Sequence, residues 1–284
     1  MIITVELVRA LLRAQFPQWS GLNLRATEPP GWDNCTLRLG DDLLVRLPTD
    51  AAYAHQVDKE QQWLPRLARH LPLTIPSPVA MGRPTSEYPW NWSIYRWIEA
   101  DPSSLPTSAF ARELGEFLQA LQRIDATGGP GPGRHNFHRG GDLAVYDEEV
   151  RRALVILEGR VEAREAMRLW RSATATNWDH PAVWIHGDIS RGNLLTRSHR
   201  LTAVIDFGNL AVGDPACDLA IGWSWFDRET CEALRTALPL DDATWLRGRA
   251  WSLWKALVVA AGISPTNAIE HADPMRVVQR CLAD

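Results

Sequence analysis

Two aspartates and an asparagine in the second half of the chain have the types and the spacing to do chemistry. Asn193 follows Asp188 by five residues, and Asp206 begins an Asp-Phe-Gly sequence about a dozen residues further on. A carboxylate can orient a hydroxyl group and accept its proton, whereas an amide oxygen and a second carboxylate can bind the Mg²⁺ that bridges phosphate groups. The pattern therefore predicts phosphoryl transfer, with Asp188 as the catalytic carboxylate and Asn193 and Asp206 as metal ligands.

Three short apolar runs surround these residues and predict how they come together. Residues 182–185, 194–195 and 201–205 are typical of short buried strands, and residues 197–200 have the composition of a turn. A loop-strand-turn-strand unit places Asp188 and Asn193 on one loop and Asp206 at the end of the neighbouring strand. We therefore expect the three side chains to converge although they are distant in sequence.

Each part of the pattern also has a purely structural interpretation. An isolated Asp-x-x-x-x-Asn or Asp-Phe-Gly sequence arises often by chance, but both together, in order and between short strands, arise much less often. We expect His186 to support the loop rather than act as a base, because Asp188 already has that role. Asp214 and Asp218 are expected to support the fold, since an Asp beside Pro215 can cap a helix that starts there.

The sequence His186-Gly187-Asp188 resembles the opening of the catalytic loop in aminoglycoside phosphotransferases, and residues 213–220 are similar to the sequence that follows in that family. The resemblance covers the whole chain in outline. It implies an α+β fold of the two-lobed protein-kinase type, with a small antiparallel-sheet lobe at residues 1–98 that binds the nucleotide. A larger, mostly helical lobe at residues 99–284 would hold the catalytic and substrate-binding groups.

The same resemblance implies an activity. The γ-phosphoryl group would pass from ATP, with GTP not excluded, to a hydroxyl group of a small molecule, and Mg²⁺ would be required. Antibiotic resistance is one role that the family suggests. The alternatives are a metabolite kinase of the same fold, acting on an amino alcohol or a sugar, and a non-catalytic nucleotide-binding pseudokinase. The presence of Asp188, Asn193 and Asp206 favours an enzyme over a pseudokinase.

The nucleotide phosphates require a cation, and the chain offers little choice of residue. Its only lysines are Lys59 and Lys255, so arginine supplies 28 of its 30 basic residues. In the family that the chain resembles, this cation lies on the strand after a hairpin, where the chain has Arg46. Glu60, 14 residues later on the predicted helix, would be its ion-pair partner. A half-exposed strand arginine without a functional role is the alternative interpretation of Arg46.

Residues 93–99 are expected to leave the sheet and cross into the second lobe. In the family that the chain resembles, this hinge reads the adenine edge through backbone groups, and by position these are the carbonyl of Arg96 and the amide of Ile98. We interpret Trp97 as a core aromatic residue rather than a stacking group. The glycine-rich loop of protein kinases is missing, and residues 31–36 occupy its place.

The remaining elements follow from apolar periodicity and from turn residues. In the first lobe we predict a helix near residues 5–16, strands at 22–26, 36–39, 43–47 and 92–98, and a helix that Asp50 caps and that runs to about His70. An extended connection is expected at Pro72, Pro76 and Pro78. In the second lobe we predict a loop at 127–133 and helices at 107–125, 145–157, 162–175, 215–227, 229–238, 242–263 and 265–283, the last broken at Pro274.

The composition bears on three properties of the protein: nucleic-acid binding, membrane insertion and cellular location. The net charge of −4 gives no general basic surface for nucleic acid, and no apolar run reaches the ~18 residues that a membrane span needs. The four cysteines are scattered without metal-ligand spacing, and the N-terminus lacks the profile of a signal peptide, so we expect a cytoplasmic protein. The sequence does not predict an oligomeric state.

The last third of the chain must meet the acceptor substrate, and its composition leaves the substrate open. A polycationic aminosugar would favour carboxylates around the acceptor hydroxyl, whereas a macrolide or another bulky alcohol would favour aromatic walls. Most of the tryptophans are expected in the core, and most of the acidic residues are expected to cap helices. The residues concerned are Trp223, Trp225, Trp245, Trp251 and Trp254, and Asp227, Glu229, Glu232, Asp241, Asp242, Glu270 and Asp273.

Overall fold

A computed structural model describes residues 1–27, 31, 33–101, 105–264 and 272–283 of the chain. The chain forms two compact units. The first comprises Met1–Ala100 together with a short later segment, Ala203–Gly208, and the second comprises Asp101–Thr202 and Asn209–Asp284. The division of function between a nucleotide-binding lobe at residues 1–98 and a catalytic lobe at 99–284 stays a prediction.

Within the described residues, the first unit contains a sheet of five antiparallel strands. The strands are β1 (Leu24–Ala26), β2 (Asn34–Leu39), β3 (Leu43–Pro48), β4 (Pro78–Gly82) and β5 (Trp92–Arg96). Their order across the sheet is β1-β2-β3-β5-β4. Val45 and Leu47 of β3 are fully buried in the core. Because side chains alternate along a strand, Arg46 between them points to the opposite face of the sheet.

Two helices in this unit begin at polar caps. They are α1 (Val5–Gln15) and α2 (Ala51–Leu67). The Thr4 hydroxyl accepts a hydrogen bond from the Leu7 amide at 3.2 Å, and the Asp50 carboxylate accepts one from the Ala52 amide at 2.9 Å. The predicted cap at Asp50 is confirmed, and it fixes the start of the helix that carries Glu60.

The sheet differs from the prediction at β4 and β5. Pro72, Pro76 and Pro78 predict an extended connection, but a strand begins at Pro78 and pairs with β5. Proline is tolerated there because β4 lies at the edge of the sheet, where one side of the strand makes no ladder bonds. The predicted strand at residues 92–98 ends at Arg96 instead, two residues early.

A late segment of the chain completes the first unit. The Val204 amide donates to the Thr74 carbonyl at 3.0 Å, next to a parallel bridge between Thr74 and Ala203. Gly208 lies so close to Gln56 of α2 that a Cβ atom there would come within 2.7 Å of the glutamine side chain. The segment between these two contacts carries Asp206 into the first unit.

The second unit is mostly helical. Its longest described helix is buried around most of its circumference, which is typical of a helix at the centre of a domain. No helix within the described residues is both long enough and apolar enough to cross a lipid bilayer. The helices are α3 (Ser108–Gln122), α4 (Asp147–Ile156), α5 (Ala163–Thr174), α6 (Ile221–Ser224), α7 (Arg228–Ala237), the central α8 (Asp242–Ala260) and α9 (Pro274–Ala283).

Short strands frame the predicted catalytic residues. They are β6 (Val183–Ile185), β7 (Leu194–Arg197), β8 (Arg200–Val204) and β9 (Ala211–Gly213). β6 pairs with β9, and β7 pairs with β8. Ser198 and His199, between β7 and β8, both have positive φ angles of 50° and 62°, as a two-residue hairpin turn requires. The predicted strand-turn-strand unit is confirmed.

The helix predicted at residues 215–227 is wrong in detail. Pro215–Leu219 forms a 3₁₀ segment, and the four-residue α6 follows it. The chain then breaks before Asp227, whose side chain accepts from the Thr230 amide and caps α7. The first part of the helix predicted at 265–283 lies outside the described residues, and its second part is α9, which begins at Pro274.

Candidate active site

The loop that follows β6 brings Asp188 and Asn193 into contact. The Asn193 side-chain amide donates through Nδ2 to Asp188 Oδ2 at 3.0 Å and to the Asp188 carbonyl at 2.9 Å. These two hydrogen bonds orient the Asp188 carboxylate with respect to its own loop. Because Nδ2 is the donor atom, the amide oxygen of Asn193 is the atom suited to a metal ion.

Buried groups hold this loop in place. Asp218 is 1% exposed, and its carboxylate accepts from the backbone amides of His186 and Gly187, each at 2.8 Å. Burial raises the pKa of Asp218, while His186 and the two amide donors act in the opposite direction. The His186 ring also accepts from the Asp188 amide at 3.2 Å. His186 and Asp218 therefore support the loop, as the sequence predicted.

Gly187 occupies a position that other residues would not tolerate. Its φ angle is +82°, and a Cβ atom would lie 2.5 Å from the backbone carbonyl oxygen of Asn209. Arg139 donates from Nε to the Gly187 carbonyl at 3.1 Å. Sequence reasoning missed Arg139, because it lies in an irregular loop 48 residues earlier and belongs to no motif.

Asp214 has the structural role that its position before Pro215 indicated. Its carboxylate accepts from the Ala216 amide at 3.0 Å, which caps the 3₁₀ segment. Arg247 of α8 also donates to it through Nε at 2.7 Å and Nη2 at 3.2 Å. Both side chains are buried, so this bidentate pair joins the segment after β9 to the central helix.

In the first unit, Arg46 and Glu60 form the ion pair that their spacing predicted. Arg46 Nη1 lies 2.8 Å from Glu60 Oε1 and 3.0 Å from Oε2. The Arg46 side chain is 13% exposed and that of Glu60 is 2% exposed, which does not fit a half-exposed arginine without a partner. The Tyr95 hydroxyl donates to Glu60 Oε2 at 2.5 Å. Sequence reasoning missed this contact, because a strand tyrosine gives no signal of its hydrogen-bond partner.

Arg46 has two further partners, and together they occupy its whole guanidinium group. Nη2 donates to Asp206 Oδ1 at 2.5 Å. The Asn34 amide, with its oxygen turned toward the arginine, accepts from Nη2 at 2.9 Å and from Nε at 3.2 Å. Burial alone would lower the pKa of Arg46, but the carboxylates of Asp206 and Glu60 raise it well above its ordinary value. Arg46 therefore links the predicted nucleotide-binding pair to the predicted metal ligand.

Asp206 reaches Arg46 through an unusual backbone conformation. Its φ angle is +67°, in the left-handed region that Asp adopts more readily than most residues. The residue follows β8 and precedes a 3₁₀ segment, Phe207–Asn209, in which Phe207 is fully buried. The Asp-Phe-Gly sequence is thus anchored by its phenylalanine and turns its aspartate toward α2 and β3.

The predicted adenine-binding segment begins where β5 ends. The Trp97 amide donates to the Asp42 carbonyl at 2.8 Å, and Ile98 follows outside the strand. The Arg38 guanidinium lies 4.5 Å from the centre of the Trp97 ring, which agrees with a packing role for this tryptophan. Recognition of adenine by the carbonyl of Arg96 and the amide of Ile98 stays a prediction.

The donor atoms present suit magnesium better than a transition metal. Among the residues that the structure describes, no group of three or more His, Cys, Asp or Glu side chains is arranged to hold a metal ion. Mg²⁺ usually takes one or two protein oxygens and completes its shell with substrate phosphates and water. The amide oxygen of Asn193 and the carboxylate of Asp206 are donors of this kind, so their chemistry fits the predicted ion.

A cavity of about 310 Å³ opens beside Asp188 within the second unit. Residues 187–192 line one side, and Trp225, Trp251 and Trp254 contribute aromatic surface. Trp251 and Trp254 are nonetheless at least 94% buried, so the expectation that these tryptophans belong to the core is correct for both. Their position beside the loop that carries Asp188 could not be predicted from their spacing alone.

Comparison with known proteins places these features in a family. The model of the phosphotransferase enzyme family, APH, matches residues 26–251 of the chain, which include Arg46, Glu60, Asp188, Asn193 and Asp206. No curated protein sequence matches the chain significantly.

Solved structures with a similar fold cover nearly the whole chain. The GDP and kanamycin complex of APH(2″)-IIIa is 19% identical and has a TM-score of 0.74 over 97% of this chain and 98% of that one. The streptomycin and ATP complex of APH(2″)-IIa is 18% identical, with a TM-score of 0.63 over 98% and 97%. Macrolide 2′-phosphotransferase MphH from Brachybacterium faecium is 19% identical, with a TM-score of 0.64 over 96% and 97%. These similarities confirm the predicted fold class.

Proposed function

The chain belongs to the phosphotransferase enzyme family, and from that premise we propose that it transfers the γ-phosphoryl group of ATP to a hydroxyl group of a small molecule. The observation that carries the proposal is the contact between Asp188 and Asn193 on a loop held by buried groups. The acceptor oxygen forms a bond to the γ-phosphorus as the bond to the β-phosphate oxygen breaks. ADP leaves, and the proton of the hydroxyl group passes to Asp188.

The first unit would bind the nucleotide. In this proposal the carbonyl of Arg96 and the amide of Ile98 contact the adenine, and the pair of Arg46 and Glu60 serves the phosphates. Since the N–H groups of Arg46 already have protein acceptors, a direct phosphate contact requires that one of them be exchanged. Arg46 therefore acts at least as a positioning residue that fixes the carboxylate of Asp206.

Magnesium would neutralise the phosphate charge when it is bound with the nucleotide. Asn193 and Asp206 would hold it, and the oxygen donors of both residues support this assignment. The structures of APH(2″)-IIIa with GDP and of APH(2″)-IIa with ATP support nucleotide binding by this fold. They leave GTP as an alternative donor to ATP.

The chemical class of the acceptor substrate would distinguish two biological roles, antibiotic inactivation and metabolite phosphorylation. Related folds bind kanamycin or streptomycin, or belong to a macrolide phosphotransferase, which supports antibiotic inactivation as one role. A metabolite kinase of the same fold is the other, and the charge of the cavity beside Asp188 bears on that choice. A cytoplasmic location is part of the proposal, supported by four cysteines that form no disulfide with one another.

The test combines a substrate screen with a variant of Asp188. Nucleotide consumption is measured against aminoglycosides, macrolides, sugars and amino alcohols, with ATP and with GTP. For the active acceptor, Asp188→Asn should lower kcat by roughly two to four decades, the usual contribution of a general base, and should leave nucleotide affinity unchanged. Asp179→Asn, at an exposed position of the same unit, is the matched control. Near-normal turnover by Asp188→Asn would remove Asp188 from the mechanism, and no turnover with any acceptor would favour the pseudokinase.

A further inference from the structure

The cavity beside Asp188 carries an excess of positive charge. Two carboxylates, Asp188 and Asp273, belong to its described lining. Five cationic side chains belong to the same described lining, although the whole chain has a net charge of −4. These cations are Arg139, Arg191, Lys255, Arg276 and Arg280.

Several of these cations are not neutralised by the protein. The Nη1 atom of Arg139 is buried and has no hydrogen-bond acceptor among the described residues. Within the same residues, no carboxylate lies within 4 Å of the guanidinium groups of Arg139, Arg276 or Arg280. A buried N–H group without an acceptor is costly, so an anionic ligand oxygen would stabilise this site.

The acidic residues that could have attracted an aminosugar serve other purposes. Asp227 and Asp241 cap α7 and α8 through the amides of Thr230 and Thr244. Asp242 pairs with Arg235 on the protein surface. Of the acidic residues described in the last third of the chain, Asp273 alone lines the cavity, and its carboxylate accepts from the Arg276 amide at 3.2 Å. Among the residues that the structure describes, the cavity therefore lacks the cluster of carboxylates that would suit a polycation.

The lining and the volume of the cavity indicate the shape and the size of the ligand that it could bind. Arg139 lies over Trp251 and Trp254, 4.8 and 5.1 Å from their ring centres, and Arg191 lies 5.6 Å from the ring centre of Trp225. Alternating aromatic and guanidinium surfaces suit a flat apolar group that carries a negative charge. A volume of about 310 Å³ is at the lower end of the ~300–1,000 Å³ typical of small-molecule sites, which favours a compact molecule.

We propose that the acceptor is a compact hydroxyl compound with a flat apolar ring and an anionic group, and not a polycationic aminosugar. The inference rests on the proposed function, because it assigns the acceptor to the cavity beside Asp188. The ring would lie against the tryptophans, and the anionic group would contact Arg139 and the cations of α8 and α9. The hydroxyl group would then face the Asp188 carboxylate.

Calorimetric titration of the full chain in the absence of nucleotide tests the charge preference. The probes are 6-hydroxy-2-naphthoate, its uncharged methyl ester, and kanamycin. We expect the naphthoate to bind at least about tenfold more tightly than the ester, which has the same ring and hydroxyl group but no charge, and more tightly than kanamycin. Equal binding of acid and ester, tighter binding of kanamycin, or no binding of the naphthoate would overturn the proposal. Since no turnover is measured, failure of phosphoryl transfer would leave this result standing.

Variants locate the bound anion. Arg276→Gln and Lys255→Gln should each weaken naphthoate binding about threefold to fivefold, as expected for partly exposed charge pairs, and should leave ester binding unchanged. Arg164→Gln, at an exposed position of α5 outside the cavity, is the control and should change neither. ADP is titrated with the same proteins. A loss of ADP affinity with unchanged naphthoate affinity would show that these cations serve the nucleotide, and would contradict the proposal.

Discussion

Arg46 shows what an arginine can do that a lysine cannot. Its five N–H groups reach Glu60, Asp206 and Asn34 at the same time, whereas a lysine has three N–H groups on one atom. A lysine at this position could pair with both carboxylates and would lose Asn34. The chain, which contains two lysines in all, thus gains an additional anchor between β2, β3, α2 and the Asp-Phe-Gly segment.

A double-mutant cycle tests whether Arg46 and Glu60 act as a pair. Arg46→Ala should raise the nucleotide KM roughly tenfold or more, since a charged hydrogen bond contributes about 1.5–3 kcal/mol. Glu60→Ala should act in the same direction but less strongly, and Arg46→Lys should keep substantial activity. The effect of the double variant should be less than the sum of the single effects. Strict additivity would show that the two residues act independently.

Lys59 predicts a pH dependence of stability. It is 8% exposed, and burial lowers its pKa from 10.5 to about 8, although the nearby Glu60 opposes this. Between about pH 8 and pH 10.5 the unfolded chain binds a proton at Lys59 that the folded chain does not, so this residue makes stability rise with pH across that window. Below pH 8 the buried charge of Lys59 destabilises the folded state by its full amount, on the order of 3 kcal/mol.

Lys59→Met should therefore raise Tm at pH 7, and this gain should shrink as the pH approaches 10. Thermal unfolding is followed by circular dichroism at pH 7, 8, 9 and 10. Gln62→Met, at an exposed position of the same helix and without a titratable group, is the control and should show no such trend. A gain that is constant across the pH range would mean that the Lys59 ammonium group titrates as it does in water.

At the scale of elements, the loop that carries Asp188 depends on a contact with the segment that precedes α6. Asp218→Asn should leave one side-chain oxygen to accept from the backbone amides of His186 and Gly187. Its NH₂ group would then face one of these amides, donor against donor. We expect kcat to fall about tenfold, with KM for the nucleotide unchanged, because a lost buried hydrogen bond costs about 1–3 kcal/mol. Hydrogen exchange at the amides of His186 and Gly187 should accelerate.

Asp227→Asn, which keeps a helix cap in the same unit, is the control for that variant. Unchanged exchange at both amides would show that the loop is held without Asp218. A fall in kcat without faster exchange would point instead to an electrostatic effect of the Asp218 charge on Asp188.

Element boundaries were predictable where local chemistry decides them. Caps such as Asp50 and the turn between β7 and β8 depend on neighbouring residues, and the sequence indicated both. The strand β4 was missed because its pairing with β5, and not its own proline-containing sequence, makes it a strand. The break before α7 was missed for a similar reason, since the packing of α6 against α8 interrupts an otherwise helical pattern.

At the scale of the whole molecule, the candidate site was predictable in its motifs and not in its long-range contacts. The spacing of 14 residues indicated the pair of Arg46 and Glu60. Nothing local connects Arg46 with Asp206, which is 160 residues away in sequence. The charge of the cavity likewise depends on residues from distant helices, and therefore the sequence left the acceptor open.

Asp206→Ala should abolish the magnesium dependence of nucleotide binding, because it removes a proposed ligand of the ion. It should also lower Tm, since Arg46 loses a partner inside the first unit. Calorimetric titration of ATP with and without Mg²⁺ checks the first effect. Asp41→Ala, at an exposed turn of the same unit, should change neither property appreciably. Preserved magnesium dependence would mean that the Asp-Phe-Gly sequence is only a turn.

The composition of the first unit has a consequence for synthesis on the ribosome. Ala203–Gly208 belongs to this unit, but residues 101–202 are translated between it and the rest. At about 5–20 residues per second, the interval lasts roughly 5–20 seconds. During that time the nascent sheet has no Asp206 for Arg46 and no Val204 for Thr74. The first unit therefore cannot be completed as an independent N-terminal domain, because its completion must await the emergence of residues 203–208 from the exit tunnel.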